Sequence, residues 1–214
     1  MGRRMFNPES MVWKPLGFFG DLVVLSLLWC LCSIPLVTLG PATAALYDTV
    51  AHTLRRKEGA FFTRFFDTFR RELKEGVLLT LLWTAAVLLL GLALYGLRLL
   101  FPGFGERGAV VTLAELLLAF LYLAAASWVF PTLSRFTMGV REISAVCLKL
   151  APGYALRSAA MALMNALLIV VSTKYVVPLM FAPALVSLLS SYLIEPVFRR
   201  YEDPQKTEAE ENGP

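Results

Sequence analysis

The chain has 214 residues, 57% of them hydrophobic and only 17% charged. Soluble domains carry about 25% charged residues, and a soluble core of this size could not hide several apolar runs near the ~20 residues that cross a hydrocarbon layer about 30 Å thick. The formal charge of +4 is read as basic loops facing anionic lipid, which sets nucleic acid aside as a partner.

The first stretch, 1–15, is short and polar, and Trp13 suits an interface. A first span is expected over 16–36, ending at Pro35. The run is too long for a signal peptide, and no cleavage site follows it. Gly40-Pro41 then marks a turn and a helix start, because a first-turn proline loses no hydrogen bond. A helix over 41–57 places Leu46, Val50 and Leu54 on one face.

Residues 60–75 form an amphipathic helix. Phe61, Phe62, Phe65, Phe66, Phe69 and Leu73 read as one stripe, with Arg64, Asp67, Arg71, Lys74 and Glu75 mainly opposite. Such a helix lies in the headgroup layer or docks in a partner groove, so Phe61, Phe62, Phe65, Phe66, Phe69, Arg70 and Arg71 are the candidate docking residues.

Spans two and three are expected over 76–100 and 109–131. A second amphipathic stretch, 132–151, carries Leu133, Phe136, Val140, Ile143, Cys147 and Leu150 at spacings of three and four. The apolar run 155–198 is too long for one span and divides at Lys174-Tyr175 into spans 154–173 and 176–198. Pro183 is expected to kink the latter. One membrane domain, 1–198, is thus followed by an acidic, disordered tail, 199–214.

The fold class expected is all-α: a polytopic membrane protein with about five transmembrane helices, or six if 36–54 crosses or re-enters, plus cytoplasmic amphipathic helices. Five spans put 14 basic residues inside and 6 outside, with the N-terminus outside. Letting 36–54 turn back gives 17 against 3, but buries Asp48, His52 and four threonines, and a charge at bilayer depth costs at least ~2.5 kcal/mol. The five-span version is preferred on that cost.

No phosphate-binding loop, nucleophile elbow or zinc-protease pattern occurs. Cys30 and Cys32 point to different helix faces, and His52 is the sole histidine, so no metal site and no cofactor are expected. The candidate polar cluster consists of ionisable and amide residues within or beside the spans: Asp21, Arg98, Glu115, Asn165 and Lys174.

The tract S-I-P-L-V-T-L-G-P-A-T-A-A-L-Y (33–47), the F-F-x-x-F-F-x-x-F-R-R stretch after it, and F-P-T-L-S-R-F (130–136) resemble the YesL-like family of bacterial membrane proteins, a family of unknown function. Its genes often lie beside those for carbohydrate-uptake ABC transporters. The resemblance implies a non-enzymatic accessory or regulatory component of such uptake in the bacterial cytoplasmic membrane, with ABC transporter subunits as partners. It supplies no site residues. The permease loop E-A-A-x3-G-x9-I-x-L-P is missing, so the chain is not read as the permease itself. The alternative is a small stand-alone transporter using its buried charges.

Overall fold

The computed structural model describes residues 8–54, 61–100, 105–136, 138–175 and 177–202. Arg3 and Arg4, the basic turn 55–57, the turn 101–103 and the tail beyond 202 lie outside the described residues, as do the side chains of Trp13 and Arg98. Among the described residues there are eight α-helices and no strand: α1 Pro8–Cys32, α2 Leu39–Thr49, α3 Phe61–Arg71, α4 Leu73–Leu100, α5 Gly105–Arg135, α6 Val140–Gly153, α7 Ala155–Lys174 and α8 Ala182–Glu202.

Among the described residues, three helical stretches are long and apolar enough to cross a membrane: Leu73–Gly96, Thr112–Arg135 and Ala155–Lys174. Five were expected. The other two are represented by shorter apolar stretches, Phe18–Cys32 and Ala182–Phe198. The last is short because the chain first makes a 3-10 turn, Val177–Met180, before α8 begins. Pro183 therefore falls in the first turn of α8, where its missing N–H disturbs nothing, and the expected kink is absent there. The proline inside α8 is Pro196. Helix α5 likewise runs through Pro131 to Arg135 instead of ending at it.

The sequence 33–38 turns the chain back on itself. Trp29 Nε1 on α1 donates to Thr43 Oγ1 on α2 at 3.0 Å, while Leu22 and Leu25 pack with Leu46 and Val50. α1 and α2 are thus an antiparallel hairpin. Small side chains let α2 sit at the centre: Gly40, Pro41, Ala42, Ala44 and Ala45 are all buried, as are Leu46 to Thr49. Its threonines bond locally, Thr43 to Leu39 O and Thr49 to Ala45 O, both at 2.7 Å, so burying them leaves no unmet donor.

Helix α3 runs back along α2 and passes into α4 with little interruption. Glu72 N donates to Thr68 O at 2.9 Å and Gly76 N to Glu72 O at 2.8 Å. At the α2–α4 crossing, Gly40 and Gly76 bring the two backbones together. Helix α5 returns antiparallel to α4, with Tyr122 Oη donating to Trp83 O at 2.9 Å. Trp128 Nε1 donates to Ser158 Oγ at 2.8 Å and ties α5 to α7. Helix α8 then descends from Ser26, whose Oγ accepts from Ala184 N at 3.2 Å, to Glu195 beside Arg135.

The amphipathic stripe read over 132–151 is placed on the core. Leu133, Ile143, Cys147 and Leu150 are buried, with Phe136 and Val140 packed against them. Burial pushes the Cys147 thiol up to about 12, with its hydrogen bond to Thr132 opposing in part. A thiolate is the reactive form. Cys147 is therefore expected to resist maleimide in the folded protein and to react only on unfolding, which mass spectrometry of labelled protein will read.

Candidate polar site at one end of the bundle

Charged side chains from four elements converge at the end of the bundle where α2 finishes. The last turn of α2 widens into a π-helical turn, Val50–Leu54, which carries His52. Such bulges recur at functional sites. Asp48, one turn earlier, is almost fully buried yet has four donors. Arg64 on α3 approaches with Nε at 2.8 Å and Nη2 at 3.2 Å. Thr68 Oγ1 donates at 2.9 Å, and His52 Nδ1 lies 3.1 Å from Oδ1.

The histidine's proton can be placed by chemistry. Its Nε2 lies 3.1 Å from Arg135 Nη1, and a guanidinium only donates. Nε2 is therefore the acceptor, and the ring bears its proton on Nδ1, facing Asp48. Arg135 also reaches Glu195 on α8 at 3.5 Å. Arg71 closes the group, its Nε donating to Glu72 at 2.6 Å and its Nη2 to Ser134 O at 3.5 Å.

Burial would raise the pKa of Asp48, but the hydrogen bonds from His52, Arg64 and Thr68 and the Arg64 charge outweigh it. The carboxyl is held well below the usual carboxylate range and stays ionised. Asp48 sits beside Arg71 and Arg135, at the ends of the apolar stretches of α4 and α5.

These side chains surround a cavity of about 280 Å³, lined by Asp48, His52, Arg64, Arg71, Glu72 and Arg135 together with Leu133, Ser134 and Phe136. No group of three or more His, Cys, Asp or Glu side chains that could hold a metal occurs among the described residues.

The phenylalanine stripe of α3 divides in two. Phe65 is fully buried, and Phe61 and Phe69 pack beside it against Leu22, Leu25 and Val50. Phe62 and Phe66 are exposed, and Leu73 with them. Residues spaced by four share a face, but 61 and 62 are ~100° apart, so the expected single stripe is an inner row and an outer row. Arg70 is exposed, whereas Arg71 turns to the cavity.

The five residues of the expected membrane cluster are spread along the bundle. Asp21 adjoins Leu22, which packs with Val50 and Phe65 near the polar end. Glu115 lies twenty residues before Arg135 on α5, about 30 Å along the helix, and Lys174 ends α7; both therefore sit toward the opposite end. Asn165 donates to Ser127 Oγ and to Met161 O, both at 3.0 Å, and bridges α5 and α7. The side chain of Arg98 lies outside the described residues.

A spacing of four puts Asp48 and His52 on one helix face, but nothing in the sequence points to Arg64, Arg135 or Glu195, because separations of 16, 83 and 60 residues within the network leave no periodic signal.

Residues 22–94 match the family model described as "Protein of unknown function, DUF624". The matched region runs from α1 through the hairpin, α2 and α3 into α4, so it contains Asp48, His52, Arg64, Arg71 and Glu72. No curated protein and no solved structure matches the chain.

Proposed function

We propose that the chain is a YesL-like, multi-pass protein of the bacterial cytoplasmic membrane that serves as a non-enzymatic accessory or regulatory component of carbohydrate ABC-type uptake, its polar end facing the cytoplasm. The observation that carries this reading is the seating of α3 and α6. Each is clamped at the polar end by an inner apolar row, and each turns an outer edge away from the bundle. On α3 that edge is Phe62, Phe66 and Arg70; on α6 it is Arg141, Leu148 and Lys149. Edges that mix exposed apolar and basic side chains suit a docking platform. The separation of Asp21 from Glu115 and Lys174 speaks against a charge relay through the bundle.

The test is co-purification of the intact protein with ABC subunits from native membranes. Phe62→Ser with Phe66→Ser is expected to abolish it while the elution profile of the protein is retained. A clean, partner-free preparation that transports sugar in proteoliposomes would overturn the reading.

The topology proposed with it has both ends of the chain in the cytoplasm, since the antiparallel hairpin supports 17 of the 20 basic residues on one side. Gly40 lies against Thr80, the eighth residue of α4, and α4 continues for about 30 Å past that point. The hairpin turn then ends inside the apolar layer. Its composition fits: Ile34, Leu36 and Val37 are exposed. Its backbone is also served from within. Ser33 N bonds Trp29 O at 2.9 Å, and Thr38 Oγ1 contacts Cys32 O at 2.6 Å and Pro35 O at 2.7 Å. Such internal pairing is what hydrocarbon requires.

In a cysteine-free background, Ile34→Cys and Leu36→Cys are expected to resist a membrane-impermeant maleimide from either side. Arg141→Cys is expected to react from the cytoplasmic side alone. Labelling of position 34 or 36 from outside would show a full crossing instead.

A further inference from the structure

We propose that the base of α7 binds an anionic phospholipid, with Arg157 holding the phosphate and an exposed apolar row of the same helix covering an acyl chain. Four arginines at the polar end hydrogen-bond across elements. Three of them have a carboxylate: Arg64 has Asp48, Arg71 has Glu72 and Arg135 has Glu195. Arg157 is the exception among the described residues. Its Nη1 donates to Leu193 O on α8 at 3.3 Å, and its guanidinium carbon lies 5.6 Å from the centre of the Tyr154 ring. A carbonyl and an aromatic face orient the group but leave its full positive charge in place.

What remains of that guanidinium suits a phosphate. It has five N–H groups in a planar fork, and one of the five is used among the described residues. Arg157 is half-buried, so its charge is partly shielded from water and acts more strongly than one on the open surface. The depth fits as well. Arg157 is the third residue of a helix long and apolar enough to cross the membrane, which sets it at headgroup level at one end of the span. Leu156, Leu163, Leu167 and Val170 are all exposed, and spacings of seven, four and three put them on one face. The row is ~21 Å long, more than half of a hydrocarbon core about 30 Å thick. An acyl chain that starts beside Arg157 therefore meets apolar side chains throughout its leaflet. Only a lipid uses both the guanidinium and the row. A net negative charge completes the match, because the choline of a zwitterionic lipid would bring a second cation to Arg157.

The test places the full-length protein in phosphatidylcholine nanodiscs with a trace of phosphatidylglycerol that carries a photoactivatable group on its acyl chain. Mass spectrometry of the crosslinked peptides is expected to concentrate the label on residues 156–170. As unlabelled phosphatidylglycerol replaces phosphatidylcholine at constant total lipid, the labelling is expected to fall along a saturating curve. Non-specific contact would be indifferent to that exchange. Inorganic phosphate is expected to displace nothing, and displacement by it would identify a soluble anion and overturn the lipid assignment. In Arg157→Gln the specific labelling is expected to drop about tenfold, the loss of one charge-assisted contact. Arg141→Gln removes the same charge from the exposed start of α6 and is expected to leave it unchanged. The proposal is overturned if the label spreads over the exposed leucines of α4 and α5 as strongly as over α7. It is also overturned if phosphatidylglycerol does not compete, or if Arg141→Gln weakens labelling as much as Arg157→Gln does. The label map and the competition are read on the unaltered protein, so they decide the matter even if Arg157→Gln fails to fold.

Discussion

Gly40→Ala is expected to lower the unfolding free energy by about 3 kcal/mol, the upper end of ordinary overpacking. A Cβ at this position would overlap Thr80 Oγ1, and would stand 2.6 Å from Gly76 O and 2.7 Å from Phe130 Cε1. The threonine could rotate away. The carbonyl cannot, because it accepts the Thr80 hydroxyl at 2.7 Å and belongs to the continuous rod of α3 and α4. The reciprocal change, Gly76→Ala, would press a methyl to within 2.8–2.9 Å of the Pro41 ring, and is expected to cost a similar amount. Gly91 provides the control. It lies on the same helix with nothing within 4 Å of its Cβ position, so Gly91→Ala is expected to be neutral or stabilising. Unfolding in a graded denaturing detergent, read by circular dichroism, ranks the three. If Gly40→Ala unfolds with the wild type, α2 and α4 are not held at this crossing.

That crossing explains what hydropathy could and could not reveal. The apolar runs over 76–100, 109–131 and 154–173 were legible because their length and composition alone set them apart, and each corresponds to a long apolar helix. Helix α2 shows the limit of hydropathy. The cost of burying Asp48, His52 and the threonines is read from the sequence as if each stood alone. In the fold Thr43 and Thr49 bond their own helix, and Asp48 meets an arginine sixteen residues away. A sequence displays the expense of burying a charge, but the partner that offsets it is set by tertiary geometry. The phenylalanines of α3 teach the same lesson. Spacing assigns Phe61, Phe65 and Phe69 to one row and Phe62 and Phe66 to the next, but only packing decides which row faces Leu22 and Val50. The proline readings failed through position: Pro183 sits at a helix start, where it is harmless, and Pro131 sits where α5 continues to Arg135.

Arg64→Ala is the second large effect expected. Removing one partner of a buried pair leaves an ionised group without compensation, which costs about 3–5 kcal/mol when both are fully buried. The Arg64 side chain is 35% exposed and Asp48 only 7%, so water can reach the vacated side, and a loss of about 2–3 kcal/mol is expected. Asp48→Asn should cost less, because the amide oxygen still accepts from Thr68 or Arg64, and the Arg64 charge left behind is 35% exposed to water. The double change Asp48→Asn with Arg64→Gln is expected to recover part of the Arg64→Ala deficit, since a neutral pair has no ion to desolvate. The sign of the pH dependence follows from the depressed pKa of Asp48. Its carboxylate contributes fully above the unfolded value near ~3.9 and loses that contribution as pH falls toward the lower folded value. Wild type is therefore expected to exceed Asp48→Asn by a constant margin from about pH 5 to 7, with the two converging below about pH 4. Detergent unfolding at stepped pH measures this directly. A margin that does not change down to pH 3 would mean that Asp48 serves by shape and hydrogen bonding, and that its charge does not hold α2 to α3.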